Sequence, residues 1–297
     1  MLVNGRVVCG IPFGKLDHSM KHQISSTGDL GSVHLYEGYS ALQFKREGRI
    51  LYVAIAHEKK KNAVDAGLHR DLARVFYEIN LDTAADVVVL TGTGRWFCAG
   101  GDMTWFQELV DEKVRWRHMV VEAKKILNGL LELEKPIIAK INGAAAGLGA
   151  SIALLCDIVY ASDTASIGDP HVKMGLVAGD GGAVIWPHLI GINRAKEMLL
   201  TGRMLPATEA HAIGLINHVV SPKDLDVAVD TAARELAAGA TLAIRWTKTV
   251  LNLELRRINA AISDSALAYE TLTNDSADHQ EAVNAFVQKR AARFTGA

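Results

Sequence analysis

The sequence predicts an α/β fold, and three observations carry that prediction. Short runs dense in aliphatic and β-branched residues alternate with longer stretches whose apolar residues recur at helical spacing. Two of the runs, residues 87–91 and 136–141, are almost continuously apolar, as strands covered on both faces of a parallel sheet must be. Beyond Pro187 the alternation stops and nearly every segment reads as helix, so an α/β core precedes a helical C-terminal region.

Taken in order, residues 1–39 are polar and weakly periodic and read as a poorly ordered extension. Residues 41–45 and 50–55 are β-rich and joined by Arg46-Glu47-Gly48-Arg49, a hairpin signal. Asn62 stands where it can cap a helix over 65–79, in which Leu68, Leu72, Val75, Phe76 and Ile79 share one face. The strand at 87–91 follows, then a helix over 114–133 and the strand at 136–141. A helix over 147–156, opened by small residues, leads to a strand at 158–161. The spacing of these units suits right-handed crossovers. Residues 169–187 read as a loop of glycines and small apolar residues. Helices are expected over 194–200, 207–213, 225–238 and almost all of 242–293. The chain thus divides into an extension (1–39), a core (40–205) and a helical region (206–297).

Composition narrows the function classes. A chain of 297 residues, 49% hydrophobic and 22% charged, can bury a large core and has an ordinary globular balance. A net charge of −1 offers no electrostatic footprint for nucleic acid or an anionic membrane. Cys9, Cys98 and Cys156 have neither disulfide nor metal-ligand spacing, which predicts no metal site and a reducing, cytoplasmic setting. No apolar run reaches membrane-spanning length, and the N-terminus lacks the apolar stretch of a secretion signal.

Two glycine-rich junctions directly follow buried strands: Thr91-Gly92-Thr93-Gly94 through Ala99-Gly100-Gly101-Asp102, and Asn142-Gly143 through Gly147-Leu148-Gly149-Ala150-Ser151. Small residues let backbone N–H groups approach a ligand, and a helix start adds partial positive charge. Together such junctions can supply two donors to a developing oxyanion; taken singly, each is equally a tight turn allowing close packing. Neither has the lysine ending of a phosphate loop or the spacing of a dinucleotide fingerprint.

The loop at 169–187 holds His171 and Asp180. An imidazole exchanges protons near neutrality, and a carboxylate accepting its N–H fixes its tautomer and makes it a better base. The plain alternative is a loop-capping histidine and a turn aspartate between glycines. His118 and Glu122, one helical turn apart, form either a second acid–base pair or an ordinary helix-face pair. Trp105 and Phe106 are candidate walls of a substrate tunnel or simply core. Nothing around Ser151 suggests an activated nucleophile.

These motifs resemble the crotonase (enoyl-CoA hydratase/isomerase) superfamily from about Ser40 to the C-terminus. The resemblance rests on Lys61-Asn62-Ala63, Phe97-Cys98-Ala99-Gly100-Gly101-Asp102, Lys135-Pro136, Ile141 to Gly147, Cys156-Asp157-Ile158, Leu199 to Gly202, and Ala212 to Asn217. It implies a spiral of repeated ββα units with a helical C-terminal trimerisation region, assembled as a homotrimer or a dimer of trimers. It implies acyl-CoA substrates and no cofactor, CoA being part of the substrate. By the same carry-over, the N–H groups of Ala99 and Leu148 would form the oxyanion hole. Lys61, Ala63, Gly100, Asp102 and Lys289 would line the substrate and CoA site.

One departure matters. Hydratases of this family use two glutamates, and the matching positions here are Ser151 and His171. The segment Gly179-Asp180-Gly181, followed by Trp186-Pro187-His188, is more similar to the β-diketone hydrolases of the superfamily, in which a His–Asp pair serves retro-Claisen C–C cleavage. That similarity extends to Leu253-Glu254-Leu255-Arg256-Arg257. Three readings follow: enoyl-CoA hydration or isomerisation, hydrolytic C–C cleavage of a β-diketone or its thioester, and a catalytically weak CoA-binding subunit.

Overall fold

The structure, a computed structural model, describes residues 35–297. β1 (Leu42–Glu47) and β2 (Ile50–Ile55) make the expected hairpin, with Glu47 opposite Ile50. Gly48 takes the left-handed conformation (φ 58°) that so short a turn demands. The expectation for residues 1–34 lies outside the described residues. In the remainder of the expected extension, Tyr36 stacks on Phe44 at 4.3 Å and donates to Asp82, and Tyr39 donates to Glu78. Packing therefore begins a few residues before Ser40.

α1 (Ala66–Leu81) buries the predicted apolar face, but its cap is Asp65, whose carboxylate accepts from the N–H groups of Gly67 and Leu68. Asn62 is fully buried in a left-handed turn (φ 55°). Its side chain binds the His57 N–H and the carbonyls of Thr93 and Trp96, which ties this turn to the first glycine junction. Asn62 organises the site rather than the helix.

After β3 (Val87–Gly92) comes α2 (Met103–Asp111), which sequence reasoning missed because its one capping signal, Asp102, sits inside a glycine motif. α3 (Lys113–Glu132) and β4 (Ile137–Ile141) follow. The expected helix over 147–156 divides into β5 (Ala145–Ala146) and a shorter α4 (Leu148–Leu154). β6 (Ile158–Ser162) and β7 (Ser166–Gly168) lead to a 3-10 turn at His171–Met174 and to α5 (Gly182–Ile190). The second half of the expected 169–187 loop is therefore helical. α6 (Ile192–Thr201), β8 (Met204–Pro206), α7 (Ala207–Ala212), β9 (His218–Val220), α8 (Leu225–Ala238), α9 (Thr241–Asn274) and α10 (Ala277–Val287) complete the chain. Helix ends at Val287, short of the expected Arg293.

The main sheet has the order β1-β2-β3-β4-β6-β9 and is parallel except at β1–β2. A second, small sheet has the order β5-β7-β8. β9 lies within the expected helical region, so the main sheet takes its last strand from there. The continuous apolar run of β3 has a direct cause. Val88 and Leu90 join the large core with Leu68 and Phe76 of α1, whereas Val87 and Val89 join Val229 and Ala233 of α8. Both faces are covered, as in parallel sheets generally.

α9 is tied to this core by charge. Lys248 lies 2.8 Å from Asp157 and donates to the Lys135 carbonyl, while Lys135 itself donates to the carbonyls of Ile79 and Asp82. Among the described residues, no helix is long and apolar enough to cross a membrane.

Candidate active site

The two glycine junctions meet side by side. The Cys98 N–H donates to the Ala144 carbonyl at 3.0 Å, and the Ala146 N–H returns a bond to the Cys98 carbonyl at 2.9 Å. Gly149 permits the approach, since a Cβ there would stand 2.6 Å from that of Cys98. Ala99 and Leu148 thereby lie on adjoining segments. α4 begins at Leu148, so its N–H has no acceptor within the helix. The Ala99 N–H donates to the Lys61 carbonyl across a long 3.3 Å. Gly147 (φ 53°, ψ −126°) makes the sharp turn into α4, and a side chain on it would meet the His171 ring at 3.3 Å.

A cavity of about 690 Å³ opens against these segments. Lys59, Lys60, Lys61 and Lys173 line it together with Ala63, Ala99, Gly100, Asp102 and His171. Lys61 stands 5.2 Å from the Trp96 ring centre, in cation–π range, and Lys60 bonds Asp65 at 3.0 Å. Asp102 also caps α2, accepting from the N–H groups of Thr104 and Trp105. Lys289 is exposed beyond α10 and does not line the cavity in this chain; Phe286, a turn earlier, does.

His171 and Asp180 come together, with Nε2 at 3.2 Å from Asp180 Oδ2. The expected role of Asp180 as tautomer-fixing acceptor nevertheless falls partly to a residue the sequence reading did not single out. His171 Nδ1 donates to Asp169, two residues earlier. Both carboxylates and the imidazole are buried. Burial alone disfavours the charged imidazole, but Asp169 and Asp180 outweigh it and hold the His171 pKa well above its ordinary value. Asp169 in turn lies against the start of α5, where a Cβ on Gly182 would come within 2.1 Å of Oδ2. A helix N-terminus favours that anion.

A second missed residue is Glu270 of α9. It is buried beside Gly179, with Oε2 unpartnered, and burial followed by the charge of Asp180 raises its pKa well above the carboxylate range. Its neutral form is thereby favoured beside the His171–Asp180 pair. The spacing of α9 gave no signal for it, because an isolated glutamate on a long helix with many polar residues looks like surface.

The proposed His118–Glu122 pair does not form. His118 is exposed, and Glu122 accepts from His69 Nδ1 of α1 at 2.7 Å. His69, Asp180, Glu270, His171 and Leu148 line a small inner chamber of about 30 Å³, walled also by Trp105 and Phe106. Ser151 is buried with Oγ unpartnered, and Cβ of a residue at Gly181 would touch it at 3.0 Å, so it fills space. Burial pushes the Cys98 thiol up to about 12, which makes it an inert packing group.

Among the described residues, donor atoms of Asp169, His171 and Asp180 lie within 4.8 Å of one another. His171 gives Nδ1 to Asp169 and Nε2 to Asp180, so both ring nitrogens are engaged by carboxylates. A metal-bound imidazole gives one ring nitrogen to the ion and only the other to a carboxylate. The arrangement suits holding and moving a proton.

Comparison with known proteins identifies the family. The family model described as enoyl-CoA hydratase/isomerase matches residues 45–297. The short-chain-enoyl-CoA hydratase of Clostridium acetobutylicum is 34% identical over 251 residues, covering 83% of this chain and 94% of that protein. A crystal structure of an enoyl-CoA hydratase/isomerase from Mycobacterium paratuberculosis superposes with a TM-score of 0.81 at 34% identity, covering 84% of this chain and 99% of that one. A β-diketone hydrolase from the cyanobacterium Anabaena, bound to (S)-3-oxocyclohexyl acetic acid, superposes with a TM-score of 0.77 at 31% identity, covering 83% and 98%. The chain belongs to the enoyl-CoA hydratase/isomerase family.

Proposed function

We propose that the chain acts on acyl-CoA thioesters through an enolate whose oxygen is held by the N–H groups of Ala99 and Leu148, with the His171–Asp180 pair moving the proton. The observation that carries this reading is the bridging of the two glycine junctions between a lysine-lined cavity and that pair. Four lysines suit the phosphates of CoA, and Ala63, Gly100 and Asp102 lie along the same wall. Lys289 is assigned to a CoA site completed by a neighbouring subunit.

In this mechanism the thioester oxygen displaces the Lys61 carbonyl from the Ala99 N–H and takes the unpaired Leu148 N–H as its second donor. Preorganised N–H groups in a dry site contribute most where negative charge develops. Asp180, whose Oδ1 is unpartnered, accepts one proton from carbon or water, and His171 donates to its Oδ2 across the 3.2 Å contact and orients it. Delivery of that proton to the enolate carbon completes addition or isomerisation, and in the reverse direction the proton taken from carbon goes to the departing oxygen. The oxyanion donors do the work of a Lewis acid, so neither metal nor cofactor enters. Assembly as a trimer or a dimer of trimers is supported by the exposed Leu251, Leu253, Tyr269, Leu272 and Val287 on the C-terminal helices.

A second reading, hydrolytic C–C cleavage of a β-oxoacyl thioester or β-diketone, is favoured by the buried Asp169–His171–Asp180 arrangement and by likeness to the diketone hydrolase. The deciding experiment is a panel containing crotonyl-CoA, 3-oxoacyl-CoA thioesters and cyclic β-diketones, with products resolved by mass. Turnover of enoyl thioesters that disappears in His171→Ala supports the first reading. Release of a cleaved acid supports the second, and CoA binding without any turnover identifies a weak binding subunit.

A further inference from the structure

Phe106 divides the site. Its ring lies on Gly101, where a Cβ would meet Cζ at 2.3 Å, and its edge contacts His279 with ring centres 5.9 Å apart. It lines both the large cavity and the inner chamber, as do Gly101 and His171, so the two spaces adjoin at this ring. The chamber holds about 30 Å³, and a water needs about 10–15 Å³ on such a measure, so it has room for roughly two water-sized groups. A long apolar tail does not fit it.

Its wall is not uniformly apolar. Leu109, Met119 and Trp105 contribute hydrocarbon, and His69 interrupts them from α1. The His69 ring is 98% buried and tilts against Trp105 at 5.2 Å. Nδ1 is committed to Glu122, and Nε2 carries no hydrogen bond to any described residue. His69 lines the chamber, so this nitrogen is open to whatever fills it. Water can bond it in the free protein, and a ligand oxygen can do so when the site is filled.

We propose that His69, oriented by Glu122, selects a short acyl group bearing an oxygen substituent a few atoms beyond the thioester carbonyl. This rests on the acyl-CoA reading. A hydroxyl is the best match, because it donates to Nε2 of the neutral ring and accepts from Nε2–H of the charged one. The thioester carbon stays with Leu148 and His171, and the oxygenated end reaches His69. Glu122 is a positioning residue, since it acts through the imidazole.

The test uses unreactive thioethers: calorimetric titration of the full chain with CoA, S-butyl-CoA, S-(3-hydroxybutyl)-CoA and S-octyl-CoA. The hydroxybutyl ligand is expected to bind about tenfold more tightly than the butyl one, as a buried hydrogen bond allows. S-octyl-CoA is expected to bind no better than S-butyl-CoA, against the usual gain from added methylenes. His69→Leu should bring the hydroxybutyl preference close to one, while His69→Gln, which keeps a polar end, retains most of it. Affinity for CoA itself should not change in either. Equal affinities for the two short ligands in the native protein, or a preference that survives in His69→Leu, overturn the proposal while leaving the acyl-CoA reading intact. Should His69→Leu fail to fold, the native ratio and its reduction in Glu122→Gln decide. Failure of CoA itself to bind overturns the acyl-CoA reading, and this proposal falls with it.

Discussion

Two histidines line the same inner chamber, and each meets its carboxylates by a different route. His171 takes both partners from its own stretch of chain, Asp169 just before it and Asp180 at the foot of α5. His69 on α1 takes Glu122 from α3, far away in sequence. Local chain geometry builds the first constellation, and helix packing builds the second. The first therefore holds a charge at both ring nitrogens and suits proton transfer. The second leaves one nitrogen open and suits recognition.

The sharpest way to break this contrast is to remove the groups in turn. His171→Ala and Asp180→Asn should each lower kcat by about 10²–10⁴, the usual contribution of a positioned acid or base. Asp169→Asn should cost less, about 10–100-fold, because it orients the ring rather than meeting the substrate. Glu122→Gln should instead act mainly on KM for oxygenated acyl groups. Steady-state kinetics on whichever thioester the panel identifies would measure all four. A His171→Ala enzyme with native kcat would end the division of labour drawn here.

The same contrast explains what sequence reading reached. The glycine junctions, Ala99, Leu148, His171 and Asp180 lie in contiguous motifs, and there the order of residues carries the geometry. Asp169 was adjacent yet overlooked, since an aspartate before Pro170 reads as turn chemistry. Glu270, His69 and Glu122 belong to α9, α1 and α3, and only the packing of those helices on the core brings them together. Helical periodicity gives a face, not a neighbour, which is why Glu122 was paired with His118 of its own helix. The capping error at Asn62 has a related origin. Local preference favours asparagine before a helix, but tertiary bonds to Thr93 and Trp96 claim it.

The charge held at His171 has a consequence for stability. Its folded pKa lies well above the unfolded value of about 6.5. Its contribution is thus fully present below about 6.5 and is lost as pH rises through the folded pKa. Glu270, also raised, changes stability in the same direction, since its ionisation beside Asp180 is opposed in the folded state. Stability from urea unfolding should therefore fall on the alkaline side, and Glu270→Gln should flatten that fall. An unchanged slope in Glu270→Gln would remove Glu270 from this account.

Gly147 tests the local constellation through the backbone. At φ 53° and ψ −126° a side chain is strained, and it would also press on the His171 ring. Gly147→Ala should cost about 1–3 kcal/mol, read as a lowered Tm. It should also reduce kcat, because Leu148 and His171 are displaced together. A stable variant with lowered kcat would separate the two effects.

The smallest effect is expected at Asp65, which supports the helix of the distant constellation and also pairs with Lys60 of the large cavity. Its carboxylate caps α1 and lies one turn before His69. Asp65→Ala should cost about 1 kcal/mol in unfolding free energy, the usual value of a lost N-cap. His171 takes its partners from elsewhere in the chain, so kcat should stay native. The preference for oxygenated over apolar acyl groups should weaken if fraying of α1 loosens His69 from Glu122. Loss of kcat in this variant would mean that the two constellations are mechanically coupled and that helix packing governs both.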